Sequence, residues 1–162
     1  MATSQDKLVV LVPVDFSDPS RRAMTWAFDY GQRAPCDIHL LHVVERHFTL
    51  RDLVDPSAER LKVELAEVSK AAQQELEAMA PKTEDRELLG ELHHHVAIGR
   101  PADEILRLAR ELGADLIVMG THGLSGAVER LFVGSVAQKV VRTAPCTVVS
   151  VKPKQAAPGA SA

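Results

Sequence analysis

The sequence lacks the features of a disulfide-bonded, zinc-binding or membrane-spanning protein. Its 162 residues include two cysteines, Cys36 and Cys146, which lie far apart and outside any CxxC spacing. Each stands beside an apolar segment, which favours buried thiols over a disulfide or a zinc site. No apolar run approaches the ~18 residues of a membrane span, and the N-terminus has no basic-then-apolar signal. These absences predict a cytoplasmic protein.

The chain also lacks a basic block. Its formal net charge is −3, and 19 Lys and Arg are mixed with 22 Asp and Glu along the sequence. Nucleic acids and anionic membranes are usually bound through clustered basic residues, so we expect neither as a partner. The length predicts one domain over residues 1–152, and the Ala-, Pro- and Gly-rich residues 153–162 predict a disordered tail.

What the sequence does contain is a regular alternation of apolar strands with amphipathic helices. Strand patterns occur at residues 8–13, 37–44, 91–98, 116–119 and 146–151, and helix patterns at 19–30, 57–79, 101–112 and 135–143. Strands that are apolar throughout are typical of parallel sheets with helices on both faces. The alternation predicts a three-layer α/β/α domain with a five-stranded parallel sheet and right-handed crossovers.

The most polar strand suggests the strand order. Residues 91–98 contain His93, His94 and His95, which favours an edge position and hence the order 3-2-1-4-5. In that order the winding reverses between the first and fourth strands, where doubly wound sheets bind ligands. The segments that leave those two strands are residues 14–17 and a glycine-rich segment that begins at Gly120.

The glycine-rich segment predicts an anion site. Gly120, Gly123 and Gly126 follow the fourth strand, and Gly134-Ser135 begins the next helix. Glycine backbone approaches a phosphate closely, and the first amides of a helix are unpaired and partly positive. The alternative is a flexible turn in which Ser135 caps the helix, because residues 135–138 match a capping box.

The spacing differs from the common phosphate-binding motifs. No GK[ST] follows, no lysine lies between Gly120 and Gly134, and the GxxGxxG pattern follows the fourth strand instead of the first. A triphosphate would be held mainly by backbone amides, with the Ser135 hydroxyl as a further donor. Arg130 is the obvious local cation besides a metal ion from solvent, so binding with little hydrolysis is expected.

Asp15 is predicted to face the nucleoside of such a ligand. A carboxylate would repel phosphates, but it accepts hydrogen bonds from ribose hydroxyls or an exocyclic amine. The alternative is that Asp15 or Ser17 caps the helix that begins near Pro19. His122, inside the glycine-rich segment, could contact a phosphate when protonated.

The three consecutive histidines do not predict a metal site. Neighbouring residues of a strand point to opposite faces, so His93, His94 and His95 cannot converge on one ion. We expect them to be surface or half-buried strand residues. No arrangement in the sequence resembles a nucleophile with its base.

Several motifs together resemble the universal stress protein superfamily over nearly all of residues 7–152. They stand in the order that this family shows. The motifs are Pro13-Val14-Asp15-Phe16-Ser17, Leu41-His42-Val43, Gly99-Arg100-Pro101, Met119-Gly120-Thr121-His122-Gly123, Gly134-Ser135 and Ala144-Pro145-Cys146-Thr147-Val148-Val149.

The resemblance implies an adenine nucleotide alpha hydrolase-like fold in a stress-induced, cytoplasmic homodimer. It also implies the subgroup that binds ATP, with Mg²⁺, through G-x2-G-x9-G-[ST]. Here ten residues, 124–133, separate Gly123 from Gly134, and the extra one either bulges outward or shifts Gly123 away from the phosphates. The resemblance places Pro13, Asp15, Val43, Met119 and Gly120 at the nucleoside and Gly123, Gly134, Ser135 and Val136 at the phosphates. Val14 and His122 complete the candidate site.

Three functions are compatible with these features. The first is an ATP-binding regulator of the stress response with slow or no hydrolysis. The second is a nucleotide-free dimeric adaptor, which the extra loop residue favours, and the third is an ATPase that uses His122 and Arg130. For a dimer, the last strand offers an exposed edge that its copy could pair with by two-fold symmetry.

Overall fold

The computed structural model describes residues 7–46, 58–79, 89–121 and 134–152. Strands and helices alternate along them. The elements are β1 (Leu8–Pro13), α1 (Asp18–Gly31), β2 (Cys36–Glu45), α2 (Ala58–Met79), β3 (Leu89–Gly99), α3 (Pro101–Leu112), β4 (Leu116–Gly120), α4 (Ser135–Thr143) and β5 (Thr147–Val151). No helix in this part of the chain is long and apolar enough to span a membrane.

The five strands form one parallel sheet in the order β3-β2-β1-β4-β5, which confirms the predicted order. The histidine-rich β3 lies at one edge and β5 at the other. The chain winds outward from β1 to β3 and then returns to β4 on the far side of β1. The carboxyl ends of β1 and β4 are therefore neighbours where the winding reverses.

Two apolar cores, one on each face of the sheet, complete the three layers. Val10 and Val12 of β1 pack into the core that α1 and α2 cover. Leu11, between them, packs into the core that α3 and α4 cover. Successive side chains of a strand point to opposite faces, so a central strand with helices on both sides is apolar throughout.

The predicted elements are all present, and their bounds differ from the prediction by at most two residues. The largest difference is in β3, which begins at residue 89 because its backbone pairs with Cys36 at the start of β2. The last strand begins at Thr147, one residue later than predicted. The predicted tail at residues 153–162 lies outside the described residues.

One helix departs from its predicted packing. The spacing of apolar residues predicts an amphipathic helix over 57–79, and Ala72 and Leu76 of α2 are buried in the core as that pattern requires. Val68 instead leaves 50% of its surface exposed and lines a cleft at the carboxyl edge of the sheet. Helical spacing identifies the apolar face, but it does not show where the neighbouring layer ends.

Both cysteines are free thiols, as expected. Cys36 is fully buried, and burial raises the pKa of its thiol, with Asp37 adding to the effect. Cys146 is only half-buried, so the prediction of a buried thiol is right for Cys36 and too strong for Cys146.

Candidate functional site

A cleft of about 450 Å³ opens at the carboxyl ends of β1, β2 and β4, where the winding of the sheet reverses. Every predicted site residue in the described part of the chain lines it. These residues are Pro13, Val14, Asp15, Val43, Met119, Gly120, Gly134, Ser135 and Val136. His122, Gly123 and Arg130 lie outside the described residues.

The cleft has further lining residues that the sequence analysis did not name as site residues. Val68 of α2 and Ile105 of α3 are apolar residues of amphipathic helices, and both contribute to the cleft wall. Thr121 had been placed in the glycine-rich segment without a role of its own. The additional lining residues are Ser20, Leu41, His42, Val44, Glu45, Val68, Pro101, Ile105, Thr121 and Ala137.

Asp15 lies in the turn between β1 and α1, and its carboxylate holds that turn together. Asp15 Oδ1 accepts hydrogen bonds from the Ser17 amide at 3.1 Å and from the Ser17 hydroxyl. Ser17 is the N-cap of α1, and its hydroxyl accepts from the Ser20 amide. The cap that the sequence assigned to Asp15 or Ser17 is therefore Ser17. Asp15 supports the cap and lines the cleft as well.

Gly120 is a glycine because the start of α1 packs directly against it. A Cβ at this position would lie 2.8 Å from the Pro19 Cβ and 2.9 Å from the Pro19 carbonyl carbon. Real Cβ atoms do not approach backbone that closely, so a larger residue would push β4 and α1 apart. The sequence placed this glycine in the candidate site, at the nucleoside, and the structure adds a packing requirement at the base of the cleft.

The first turn of α4 presents backbone amides to the cleft. Gly134 is the N-cap, with φ −59° and ψ 152°, and its carbonyl accepts the first helical hydrogen bond from the Gln138 amide. The amides of Ser135, Val136 and Ala137 come before the first helical donor, so they have no acceptor within the helix, as is usual for a first turn. They form the partly positive end of the helix dipole.

The predicted capping box at Ser135 is wrong. Ser135 is the first helical residue, and the N-cap Gly134 makes no side-chain capping bond. The amide of the N-cap residue Gly134 donates to the Thr121 carbonyl at 2.8 Å, which fixes the backbone just before the helix. Ser135 therefore lines the cleft as an exposed residue of the first turn.

The chemistry of the cleft is divided between apolar walls and polar ends. Val43, Val68, Ile105 and Met119 provide apolar surface of the kind that packs against a flat aromatic ring. Asp15 supplies a carboxylate acceptor, and the first turn of α4 supplies amide donors that suit an anion. A ligand with an aromatic ring, hydroxyl groups and a phosphate would match all three features.

The histidines of β3 form a cluster outside this cleft. His39 of β2 stacks on His93, with ring centroids 4.4 Å apart, and its Nδ1 lies 2.9 Å from His95 Nε2. Burial, then His93 and His95, lower the pKa of His39 from 6.5 to about 4, while Asp37 acts in the opposite direction. The pKa of His95 is also lowered, mainly by burial.

The alternation of β3 separates its three consecutive histidines between the two faces of the sheet. His93 and His95 share a face of β3, and the alternation of the strand places His94 on the other. Among the residues that the structure describes, no group of three or more His, Cys, Asp or Glu side chains is arranged to hold a metal ion. The participation of His39 was not predicted, since only the register of β2 with β3 brings it opposite His93.

Comparison with known proteins identifies the family that has this fold. The model of the universal stress protein family matches residues 9–152, so the chain belongs to the universal stress protein family. A universal stress protein of Thermus aquaticus is 38% identical over 145 residues, which cover 88% of this chain and 97% of that protein.

Solved structures show the same fold. Protein MJ0577 of Methanocaldococcus jannaschii has a TM-score of 0.75 at 26% identity, with 93% of this chain and 99% of that chain covered. A universal stress protein solved in complex with cAMP has a TM-score of 0.56 at 24% identity, with 91% and 98% covered. At 24% identity, the similarity to the cAMP complex shows a shared fold only.

Proposed function

We propose that this universal stress protein binds an adenine nucleotide, ATP with Mg²⁺, in the cleft at the carboxyl ends of β1, β2 and β4. It would act in the cytoplasm as a nucleotide-dependent regulator of the stress response. The observation that carries the proposal is the convergence of Asp15, apolar walls and the first turn of α4 on one cleft. These are the contacts that a nucleoside and its phosphates require.

The described residues divide into two groups in this proposal. Asp15 would accept hydrogen bonds from the nucleoside, while Pro13, Val43 and Met119 would enclose it. The amides of Ser135 and Val136 would bind phosphate oxygens, with the Ser135 hydroxyl as an additional donor. The Gly134 amide already donates to the Thr121 carbonyl, so the phosphate donors proposed here are the amides that follow it.

We expect slow hydrolysis or none. The phosphate donors proposed here are mainly backbone amides, which bind charge but do not activate a water molecule. Rapid phosphoryl transfer also needs a group that positions the nucleophile and cations on the leaving phosphates. The protein would then respond to whether ATP is bound, and it would not depend on the energy of ATP hydrolysis.

Titration calorimetry with ATP and Mg²⁺ tests the proposal, and Ser135→Pro is the informative variant. Proline is well tolerated at the first position of a helix, and Gly134 already has the extended conformation that proline favours in the preceding residue. The substitution should remove one phosphate-binding amide while α4 still forms. We expect ATP to bind about tenfold more weakly.

Ser135→Ala is the matched control, because it removes the hydroxyl and keeps the amide. It should weaken ATP binding less than Ser135→Pro does. Adenosine should bind both variants as it binds the wild type. If the wild type does not bind ATP below the millimolar range, the proposal is wrong and a nucleotide-free adaptor becomes the better description.

A homodimer through β5 is part of the same proposal. β5 is an edge strand of the sheet, and its partner within the described chain is β4. Thr147 and Ser150 are exposed there. Two copies of this edge could pair about a two-fold axis, which would cover the free backbone groups of both.

A further inference from the structure

His42 lies at the carboxyl end of β2 and contacts the turn that carries Asp15. Its Nδ1 is 2.8 Å from the carbonyl oxygen of Val14, the residue before Asp15. A carbonyl oxygen only accepts, so Nδ1 carries the proton and donates in this hydrogen bond. The Val14 amide also donates to the Leu41 carbonyl at 2.8 Å. Residues of β2 therefore bind both the amide and the carbonyl of Val14.

The same imidazole packs against the residue after Asp15. The rings of His42 and Phe16 are stacked, with centroids 4.5 Å apart and planes at 29°. Phe16 has a φ of 63°, the left-handed conformation that a bulky side chain rarely adopts. Such a conformation is strained and persists only where the surroundings stabilise it. The stack with His42 is one such stabilising contact.

The His42 side chain therefore contacts both chain neighbours of Asp15 and so restrains Asp15 between them. Val14 is held by the hydrogen bond to His42, and Phe16 is held by the ring stack. Asp15 Oδ1 in turn accepts from the Ser17 amide, which belongs to the N-cap residue of α1. The left-handed residue Phe16 lies between Asp15 and Ser17, so its conformation sets how the Ser17 amide meets the Asp15 carboxylate.

We infer that His42 is a positioning residue, which orients the carboxylate of Asp15 for the nucleoside of the bound nucleotide. This inference rests on the proposed function for its ligand. The essential contact is the hydrogen bond from Nδ1 to Val14, and the stack on Phe16 supports it. His42 lines the cleft, but its contribution to binding passes through Asp15.

Two substitutions separate the two contacts. His42→Asn keeps a donor, because its amide nitrogen stands as many bonds from Cα as Nδ1 does, and it loses the ring. His42→Phe keeps a stacking ring and loses the donor. Adenosine should bind to His42→Phe about tenfold more weakly and to His42→Asn within about threefold of the wild type.

A double-substitution cycle with Asp15→Asn tests whether His42 acts through Asp15. If it does, His42→Phe should cause no further loss of adenosine binding once Asp15 is replaced. Additive losses would overturn the inference. The matched controls are His93→Asn and His93→Phe on β3, outside the cleft lining, which should leave adenosine binding unchanged.

A second measurement needs no nucleotide and so distinguishes this inference from the proposed function. The Ser17 amide reports on the bond to Asp15, and its hydrogen exchange, followed by NMR, should be about tenfold faster in His42→Phe and unchanged in His42→Asn. Equal exchange rates in His42→Phe and the wild type would overturn the inference, whether or not nucleotides bind.

The wild-type protein provides a third check that depends on no variant. The nitrogen NMR spectrum of neutral His42 should show the proton on Nδ1. The tautomer protonated on Nε2 would be incompatible with donation to Val14 and would overturn the inference. If the wild type binds no adenine nucleotide, the proposed function fails, and these two NMR measurements still decide whether His42 fixes the turn.

Discussion

The amide of Gly134 donates a hydrogen bond to the carbonyl oxygen of Thr121 at 2.8 Å. Thr121 is buried and its own amide donates to the Val151 carbonyl, so β4, β5 and the start of α4 are joined at one point. The first amides of α4 are thereby fixed beside β4 by backbone contacts. The proposed phosphate donors and Asp15 line the same cleft.

Replacement of Ser17 by alanine should destabilise the protein by about 1 to 2 kcal/mol. The side chain is buried, caps α1 and donates to Asp15, so its loss removes two contacts at once. Urea denaturation measures the effect. Ser135→Ala is the control, because Ser135 makes no capping bond, and it should change stability by less than about 0.5 kcal/mol. Equal losses in the two variants would contradict the assignment of the caps.

Replacement of Gly120 by alanine should cost about 1 to 3 kcal/mol, since the new Cβ would overlap Pro19. Nucleotide binding should weaken as well, because Gly120 lines the cleft. Gly113→Ala is a useful comparison: its φ of 61° makes it costly, but nothing lies within 4 Å and it does not line the cleft. Denaturation and calorimetry on both variants check the prediction, and wild-type stability in Gly120→Ala would contradict it.

Stability should fall as the pH is lowered through the range set by His39. Its pKa is about 4 in the folded protein and 6.5 ordinarily, so between these values the unfolded chain binds a proton that the folded chain does not. Stability therefore rises with pH across this window and is lost as the pH decreases. The loss amounts to about 1.4 kcal/mol for each unit of pKa difference.

The variant that isolates this effect is His39→Gln, which cannot titrate. Its free energy of unfolding, measured in urea at several pH values, should decline less steeply than that of the wild type below about pH 6.5. Parallel pH profiles would show that His39 does not contribute. The pKa of His95 is lowered too, so His95 also reduces the free energy of unfolding as the pH falls. Part of this loss should remain in both the wild type and His39→Gln.

Sedimentation should show a dimer that depends on the edge of β5. Thr147 and Ser150 are exposed on this strand, and replacing both with lysine would place like charges close together at a two-fold interface. We expect the double variant to dissociate at protein concentrations at which the wild type remains dimeric. Gln138→Lys on the exposed side of α4 is the control. A monomeric wild type would contradict the proposed dimer.

Local sequence patterns were sufficient for the elements and for much of the cleft. Apolar runs, helical spacing and a polar third strand gave the element order and, with the rule for parallel sheets, the strand order. The same rule brought residues 14–17 together with the segment after Gly120. Family motifs then supplied the remaining candidate residues. These properties follow from short stretches of chain or from their order.

The contacts that define the site depend on tertiary structure. The sequence by itself determined the alternating elements and the edge position of β3, because periodicity and polarity are properties of single segments. Only the folded chain decided that the Gly134 amide bonds to Thr121, that Gly120 makes room for Pro19, and that His42 contacts the Asp15 turn. Each of these joins residues far apart in sequence, and their distance is set by how layers and strands pack.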